Sequence, residues 1–383
     1  MSNPIVIVGS GLAAYTLARE FRKLDQATPL TLITRDQGAF YSKPMLSNAL
    51  SANKLPAALI LKNAAQMACE LGAEIIAGQS VASIGVAERR IQLADGRCIA
   101  YRDLVLAQGA DSVSLPLQGN AVDCVISVND LDDFTLFSER MATAKTVAIL
   151  GAGLIGCEFA NDLLSRQIRP VLIDSAEWPL SRLLPQRAGA YLDARLRQAG
   201  VEFRGQVTAC SADREGDVLR LALSDGSYID ADIVLSAVGL QPRTALAAAA
   251  GAACGRGIIV NRRLASTLSN VYALGDCAEV MGYYLPFVMP IMHQAKALAR
   301  TLNGDPTDLN YPAMPVVVKT PACPTIVCPP PAGGDGEWLV DEQEGGLEAG
   351  FYDAAGSLLG FALLGAATIR RQALLGLVPA MLA

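Results

Sequence analysis

The chain has 383 residues, room for two to three domains at roughly 100–200 residues each. Its 31 Lys+Arg against 37 Asp+Glu leave a net charge of −6, which argues against a protein whose main work is to hold nucleic acid. Hydrophobic content of 52% raises the membrane question. The uncharged runs 280–295 and 354–369, however, are broken by Pro or Gly and fall short of the roughly 20 apolar residues that a spanning helix needs.

The opening Met1-Ser2-Asn3-Pro4 runs straight into a strand pattern, without a basic n-region or cleavage site, so the chain is expected to be cytoplasmic and free of membrane. Nine cysteines are scattered with no CxxC pair, unlike a secreted disulfide framework or a zinc site. With His293 the one histidine, a His-based metal centre or a Ser-His-Asp triad is excluded, and no metal is expected. The chemistry has to come from a cofactor.

The first strand, Pro4-Ile5-Val6-Ile7-Val8, leads into Gly9-Ser10-Gly11-Leu12-Ala13-Ala14 and a helical pattern from Tyr15 to Leu24. The event repeats at Val147-Ala148-Ile149-Leu150, followed by Gly151-Ala152-Gly153-Leu154-Ile155-Gly156 and a helix through about Ser165. Both are G-x-G-x-x-G/A turns after a strand and before a helix, the context of a dinucleotide fingerprint. The first glycine permits the turn and the second lets the backbone approach a pyrophosphate. The third position has to be small so that helix and strand touch. The pyrophosphate then sits on the bare N–H groups of the helix N-terminus.

Each fingerprint continues through a second strand to an acid, Arg35-Asp36 in the first half and Asp174 in the second. These lie near the distance of about 20 residues expected for a carboxylate that takes a ribose hydroxyl pair. Further on, Leu93-Ala94-Asp95-Gly96 and a return strand ending at Gly109 are matched by Leu223-Ser224-Asp225-Gly226 and a return strand ending at Gly239. Each half reads as a βαβ unit, a β-meander and a buried return strand. Two dinucleotides facing each other are implied.

The paired fingerprints and return strands, with Asn270-Val271-Tyr272-Ala273-Leu274-Gly275-Asp276, resemble the two-dinucleotide-binding-domain flavoproteins, the FAD-dependent pyridine nucleotide–disulfide oxidoreductase superfamily. Tyr41-Ser42-Lys43-Pro44-Met45-Leu46-Ser47, the stretch from Gly151 to Leu163, and Val318-Lys319-Thr320-Pro321-Ala322-Cys323-Pro324 look most like its ferredoxin-reductase-like branch, in particular the rubredoxin–NAD(+) reductases. The resemblance runs over essentially the whole chain. It implies an α/β fold of two Rossmann-like, three-layer domains and a small C-terminal α/β domain. The expected boundaries are 1–114 with 242–304 for FAD, 115–241 for NAD(H), and 305–383 for the cap.

The same resemblance assigns the sites. FAD is expected at Gly9, Ser10, Gly11, Leu12, Ala13, Arg35, Asp36, Lys43, Val81, Glu158, Asp276, Val288 and Lys319. NADH is expected at Gly151, Gly153, Leu154, Ile155, Gly156, Asp174 and Gly239. Asp276 would reach the ribityl chain and pyrophosphate, and Val81 the adenine. Val288 would open a helix facing the flavin pyrimidine. Lys43 and Glu158 would be the catalytic pair, Lys43 donating to flavin N5 or O4 and Glu158 holding its ammonium and touching the nicotinamide. A carboxylate at Asp174 accepts a 2′-hydroxyl and repels a 2′-phosphate, which favours NADH, although Arg166, Arg169 and Arg182 are near in sequence and Glu177 is a second candidate acid.

Disulfide reductases of the superfamily carry their redox cysteines after the first ribose acid, and residues 36–50 contain none. Cys323 and Cys328 lie elsewhere and read as buried free thiols; Cys157 and Cys277 read as small packing residues, and His293 as structural. Electrons are therefore expected to leave directly from the flavin. NADH would give hydride to flavin N5, and single electrons would pass to rubredoxin through a transient, electrostatically steered contact. Rubredoxins are acidic, so a basic patch is expected around Lys43, Lys319 or Arg370-Arg371. The setting would be alkane hydroxylation or oxygen and nitric oxide detoxification. The alternatives are a ferredoxin or flavorubredoxin reductase, and an NADH-responsive flavoprotein sensor.

Overall fold

The computed structural model describes residues 3–331 and 333–382, so the opening Met1-Ser2 lies outside the described residues. The apolar runs around the first fingerprint form a five-stranded parallel sheet ordered Val271–Ala273, Asp103–Leu106, Ile5–Val8, Leu30–Ile33, Glu74–Ile76. Ile5–Val8 and Leu30–Ile33 are buried along their whole length. Near-continuous apolar strands are what a parallel sheet covered on both faces requires. Helices Leu12–Arg22 and Val288–Leu302 share one core with this sheet and with the antiparallel meander Val81–Gly85, Arg90–Leu93, Cys98–Ala100.

Helix Leu12–Arg22 stops short of Leu24. Arg22 turns its guanidinium onto the carbonyls of Asp25 (3.0 Å) and Thr28 (2.9 Å), which favours a turn over another helical residue. Helix Val288–Leu302 likewise begins after Pro286, with Phe287 as an extended N-cap. Pro290 is accommodated in its first turn, where no intrahelical N–H is lost.

The second half repeats the plan. Its parallel sheet is ordered Glu202–Arg204, Arg169–Ile173, Thr146–Leu150, Ile233–Ser236, with helix Leu154–Leu164 after the fingerprint. The meander Ala209–Glu215, Val218–Leu223, Tyr228–Ala231 occupies the corresponding place. Two short antiparallel strands, Ala110–Ser112 and Leu240–Pro242, carry the chain out of the first sheet and back.

The C-terminal segment is dominated by an antiparallel sheet ordered Val316–Val318, Thr325–Cys328, Leu358–Gly365, Gly346–Tyr352, Glu337–Gln343. Its helical part is the short pair Ala366–Arg370 and Arg371–Leu375. This sheet does not stand apart. Val327, Leu347 and Leu364 share a core with Phe137 and Phe159 of the second half and with Leu46 and Leu59 of the first. Among the described residues, no helix is long and apolar enough to cross a membrane.

Candidate active site: a cavity between two glycine fingerprints

One cavity of about 1660 Å³ runs along the carboxyl ends of both parallel sheets. It exceeds the roughly 300–1,000 Å³ usual for a single small-molecule site. Gly9, Ser10, Gly11, Leu12 and Ala13 of the first fingerprint line it, with Arg35, Asp36 and Val81. So do Gly151, Gly153, Leu154 and Ile155 of the second, with Asp174 and Gly239. Lys43, Glu158, Asp276, Val288 and Lys319 line the same cavity, so the structure brings these expected residues to one space.

Gly156 is the exception: it does not line the cavity. A Cβ there would lie 1.9 Å from the Gly151 carbonyl oxygen and 3.4 Å from Leu172, so its place is behind the turn, where helix meets strand. His293 also lies elsewhere, in a small surface groove with Lys296, Arg300 and Asp308.

The fingerprints keep open the space that a pyrophosphate needs. Gly9 has φ +128°, and a Cβ would strike the Ala107 carbonyl oxygen at 2.3 Å; Gly151, at φ +102°, would meet that of Ala237 at 2.7 Å. At Gly11 and Gly153 a Cβ would meet nothing within 4 Å. These two glycines are therefore not demanded by the protein's own packing. They are the N-caps of the two following helices and offer no side-chain cap, which leaves the first-turn N–H groups free for an anion. Gln108 Oε1 and the Tyr284 hydroxyl are buried without a protein partner in residues that line the same cavity. Orphaned polar atoms of this kind are expected where a ligand completes the hydrogen bonding. The residues fit FAD in the first half and a nicotinamide dinucleotide in the second.

The two ribose-acid candidates are fixed to their loops. Asp36 accepts from Ser10 Oγ (2.9 Å), Thr34 Oγ1 (2.8 Å) and the Gly38 amide (2.8 Å). Asp174 accepts from the Ala152 amide (2.5 Å) inside the fingerprint and from the Ala176 amide (2.8 Å). A carboxylate has about four acceptor positions, so capacity for ribose hydroxyls remains.

The expected Lys43–Glu158 pairing is corrected by the structure. Lys43, at the start of the 3₁₀ turn Lys43–Asn48, donates to Asn129 Oδ1 at 2.6 Å. Burial pushes its amine below the ordinary value, and the Asp276 carboxylate pulls it back up. Burial in turn raises the Asp276 carboxyl, with Lys43 opposing. Glu158 is 1% exposed and has another ammonium partner, Lys319, whose Nζ is 3.0 Å from Oε2. The Lys319 amide donates to Glu158 Oε1 at 2.9 Å, and Ser47 Oγ donates to Oε2. Lys319 follows directly on strand Val316–Val318 in the C-terminal sheet, so it reaches this carboxylate where Lys43, drawn to Asn129, does not.

Residues that the sequence did not single out complete the arrangement. Helix Leu154–Leu164 buries Glu158, Asn161 and Asp162, spaced to share one face. Asn161 Oδ1 accepts from the Ala322 amide at 2.9 Å, and Asp162 accepts from the amides of Leu50 (2.9 Å) and Ser51 (2.8 Å). One helix therefore holds segments of the first half and of the C-terminal sheet. An unbroken apolar helix face is the usual signal of burial; here polar letters occupy the buried stripe, which hid it.

Among the described residues, no cysteine lines the cavity. Cys157 and Cys277 are fully buried, and burial pushes both thiols up, Cys277 to about 11. Cys323 and Cys328 are also buried and free.

Residues 3–299 match the family "Pyridine nucleotide-disulphide oxidoreductase". The chain belongs to this family. Residues 308–378 match "Rubredoxin binding C-terminal domain", the segment that supplies Lys319. A rubredoxin-NAD(+) reductase of Alcanivorax borkumensis is 43% identical over 99% of this chain and 100% of its own length. A nitric oxide reductase FlRd-NAD(+) reductase of Aeromonas hydrophila is 38% identical over 95% of this chain and 94% of its own. Among solved structures, a ferredoxin reductase of Rhodopseudomonas palustris superposes with a TM-score of 0.87 at 27% identity, covering 95% of this chain and 91% of that one. As a pyridine nucleotide-disulphide oxidoreductase, the chain uses FAD and NADH, and the cavity joins their two fingerprints.

Proposed function

We propose that this chain is an NADH-dependent rubredoxin reductase. The observation that carries the reading is the junction at Glu158. The NAD half, the first half and the segment matching the rubredoxin-binding domain converge there on one cavity. Bound FAD supplies the conversion from a hydride donor to a one-electron acceptor.

The chain's own residues do the rest. The fingerprint helices offer bare N–H groups to the two pyrophosphates. Asp36 and Asp174 read the two riboses, the latter selecting NADH. Lys43 and the open N-terminus of helix Val288–Leu302 line the same cavity and would offer positive charge to a flavin held there. Glu158, neutralised by Lys319, holds the wall between the two halves and fixes the approach of the nicotinamide. Val288 at 40% and Val317 at 47% exposure line the cavity and offer an apolar contact to a small iron protein, whereas the cations expected to form a basic patch are engaged, Lys43 with Asn129, Lys319 with Glu158 and Arg370 with Glu348. The reading places the enzyme in the cytoplasm, where free thiols persist, feeding an alkane hydroxylase or an oxygen and nitric oxide detoxification chain.

The similarity to the Aeromonas hydrophila relative favours flavorubredoxin as the second reading of the acceptor. Stopped-flow mixing of the NADH-reduced protein with purified rubredoxin, ferredoxin and flavorubredoxin separates them. Rubredoxin is expected to reoxidise the flavin fastest. A rate no better than that of a free dye rejects it.

A further inference from the structure

Lys43 does not take its place from the reading above alone; the structure shows what holds it. Asn129 is 8% exposed, lies just before helix Leu131–Arg140 and lines the cavity beside Lys43. Its Nδ2 donates to the Ala110 carbonyl at 2.9 Å, which leaves Oδ1 facing the Lys43 ammonium at 2.6 Å. The amide orientation is thus settled by chemistry: turned over, it would set NH₂ against an ammonium and a carbonyl against a carbonyl.

The backbone of Asn129 is fixed as well. Its amide donates to Asp133 Oδ2 at 2.8 Å. Asp133 is also the third helical residue of a capping box with Asp130, accepting the Asp130 amide while Asp130 accepts its own. Ala110 belongs to the strand Ala110–Ser112 that crosses between the halves. One residue therefore joins a helix cap through its backbone, and a crossing strand and the cationic end of Lys43 through its side chain.

We propose that Asn129 is a positioning residue for Lys43. It holds one of the three ammonium donors and turns the others toward the bound flavin. The proposal rests on the reading of Lys43 given under the proposed function. An ammonium on a four-carbon stem samples many rotamers, and a single rigid acceptor selects among them. With that single charged hydrogen bond lost, a Lys43-dependent step is expected to slow by about tenfold or more.

The test uses the FAD-loaded protein and four variants: N129A, N129D, K43A and the double variant N129A/K43A. The readouts are the visible spectrum of the bound flavin, its midpoint potential, and the rate at which NADH bleaches it. N129A is expected to shift the spectrum and lower the potential in the direction of K43A, and to bleach about tenfold more slowly. N129D, which keeps an acceptor, is expected to recover part of the loss. The double variant is expected to match K43A, because a positioning residue has nothing to place once its lysine is gone. If N129A leaves spectrum and potential unchanged, or if its losses add to those of K43A, the proposal is overturned. Bleaching of the parent protein by NADH, and slow bleaching by K43A, are the separate checks on the underlying reading.

Discussion

Lys319 and Glu158 form an ion pair, 3.0 Å from Nζ to Oε2, that neutralises a carboxylate 1% exposed with a cation delivered from the C-terminal sheet. A buried charge robbed of its partner is costly, about 3–5 kcal/mol. K319A is therefore expected to lower the stability of the flavin-free protein by an amount toward the lower end of that range, since the Lys319 side chain is 29% exposed. Adding E158Q removes the stranded charge and is expected to restore most of the loss. Urea midpoints of the single and double variants check this. An additive outcome would show that the pair is not coupled.

Asp276 gives a pH-dependent test. Burial raises its carboxyl above the ordinary value of 3.8. A raised folded-state pKa means that the protonated form is favoured by folding. Its contribution is fully present below 3.8 and is lost as pH rises through the folded value. At neutral pH the half-buried carboxylate therefore weakens the flavin-free fold. D276N is expected to raise the melting temperature of that form at pH 7, and the gain is expected to vanish toward pH 3.8. The same variant is expected to bind FAD more weakly, as read by ultrafiltration.

Gly11 and Gly156 separate cofactor space from packing space. A Cβ on Gly11 meets nothing within 4 Å, whereas one on Gly156 lies 1.9 Å from the Gly151 oxygen. G11A is expected to fold normally yet lose FAD, giving colourless protein with a parental circular dichroism spectrum. G156A is expected to be destabilised before any nucleotide is added.

Asp174 holds the second fingerprint through the Ala152 amide, so D174A removes both a charge and a brace. D174N removes the charge but keeps one acceptor oxygen, enough for one of the two amides of Ala152 and Ala176. It is expected to narrow the preference for NADH over NADPH by about tenfold, with a smaller loss of melting temperature than D174A. Bleaching rates with each nucleotide measure it; unchanged discrimination assigns the selection to another residue.

Thiol chemistry is expected to be dispensable. C323S and C328S are expected to keep parental rates of flavin bleaching and acceptor reduction, since neither residue lines the cavity. Loss of acceptor reduction alone in either variant would reinstate a sulfur relay.

The periodic parts of this protein were legible from its letters. Ile5–Val8 and Thr146–Leu150, each followed by a glycine turn, announced both parallel sheets, because strand burial and backbone turns are local demands. The partner of Lys43 was not legible. Lys43 and Asn129 are far apart in sequence, and no motif links them. Only the fold shows that the cap of helix Leu131–Arg140 is Asp130 and that Asn129 turns inward. The exchange of Lys43 for Lys319 at Glu158 has the same cause. Two lysines of equal chemistry compete, and the winner is set by which backbone segment passes 2.9 Å from the carboxylate.

The polar stripe of helix Leu154–Leu164 bears on how such enzymes are assembled in evolution. Because Glu158, Asn161 and Asp162 hold both the loop at Leu50–Ser51 and the segment Lys319–Ala322, the acceptor-recognition module is not a detachable cassette. A lineage that exchanged it for another would have to rewrite two letters of a neighbouring helix, Glu158 and Asn161, at the same time, or carry an orphaned anion in its interior.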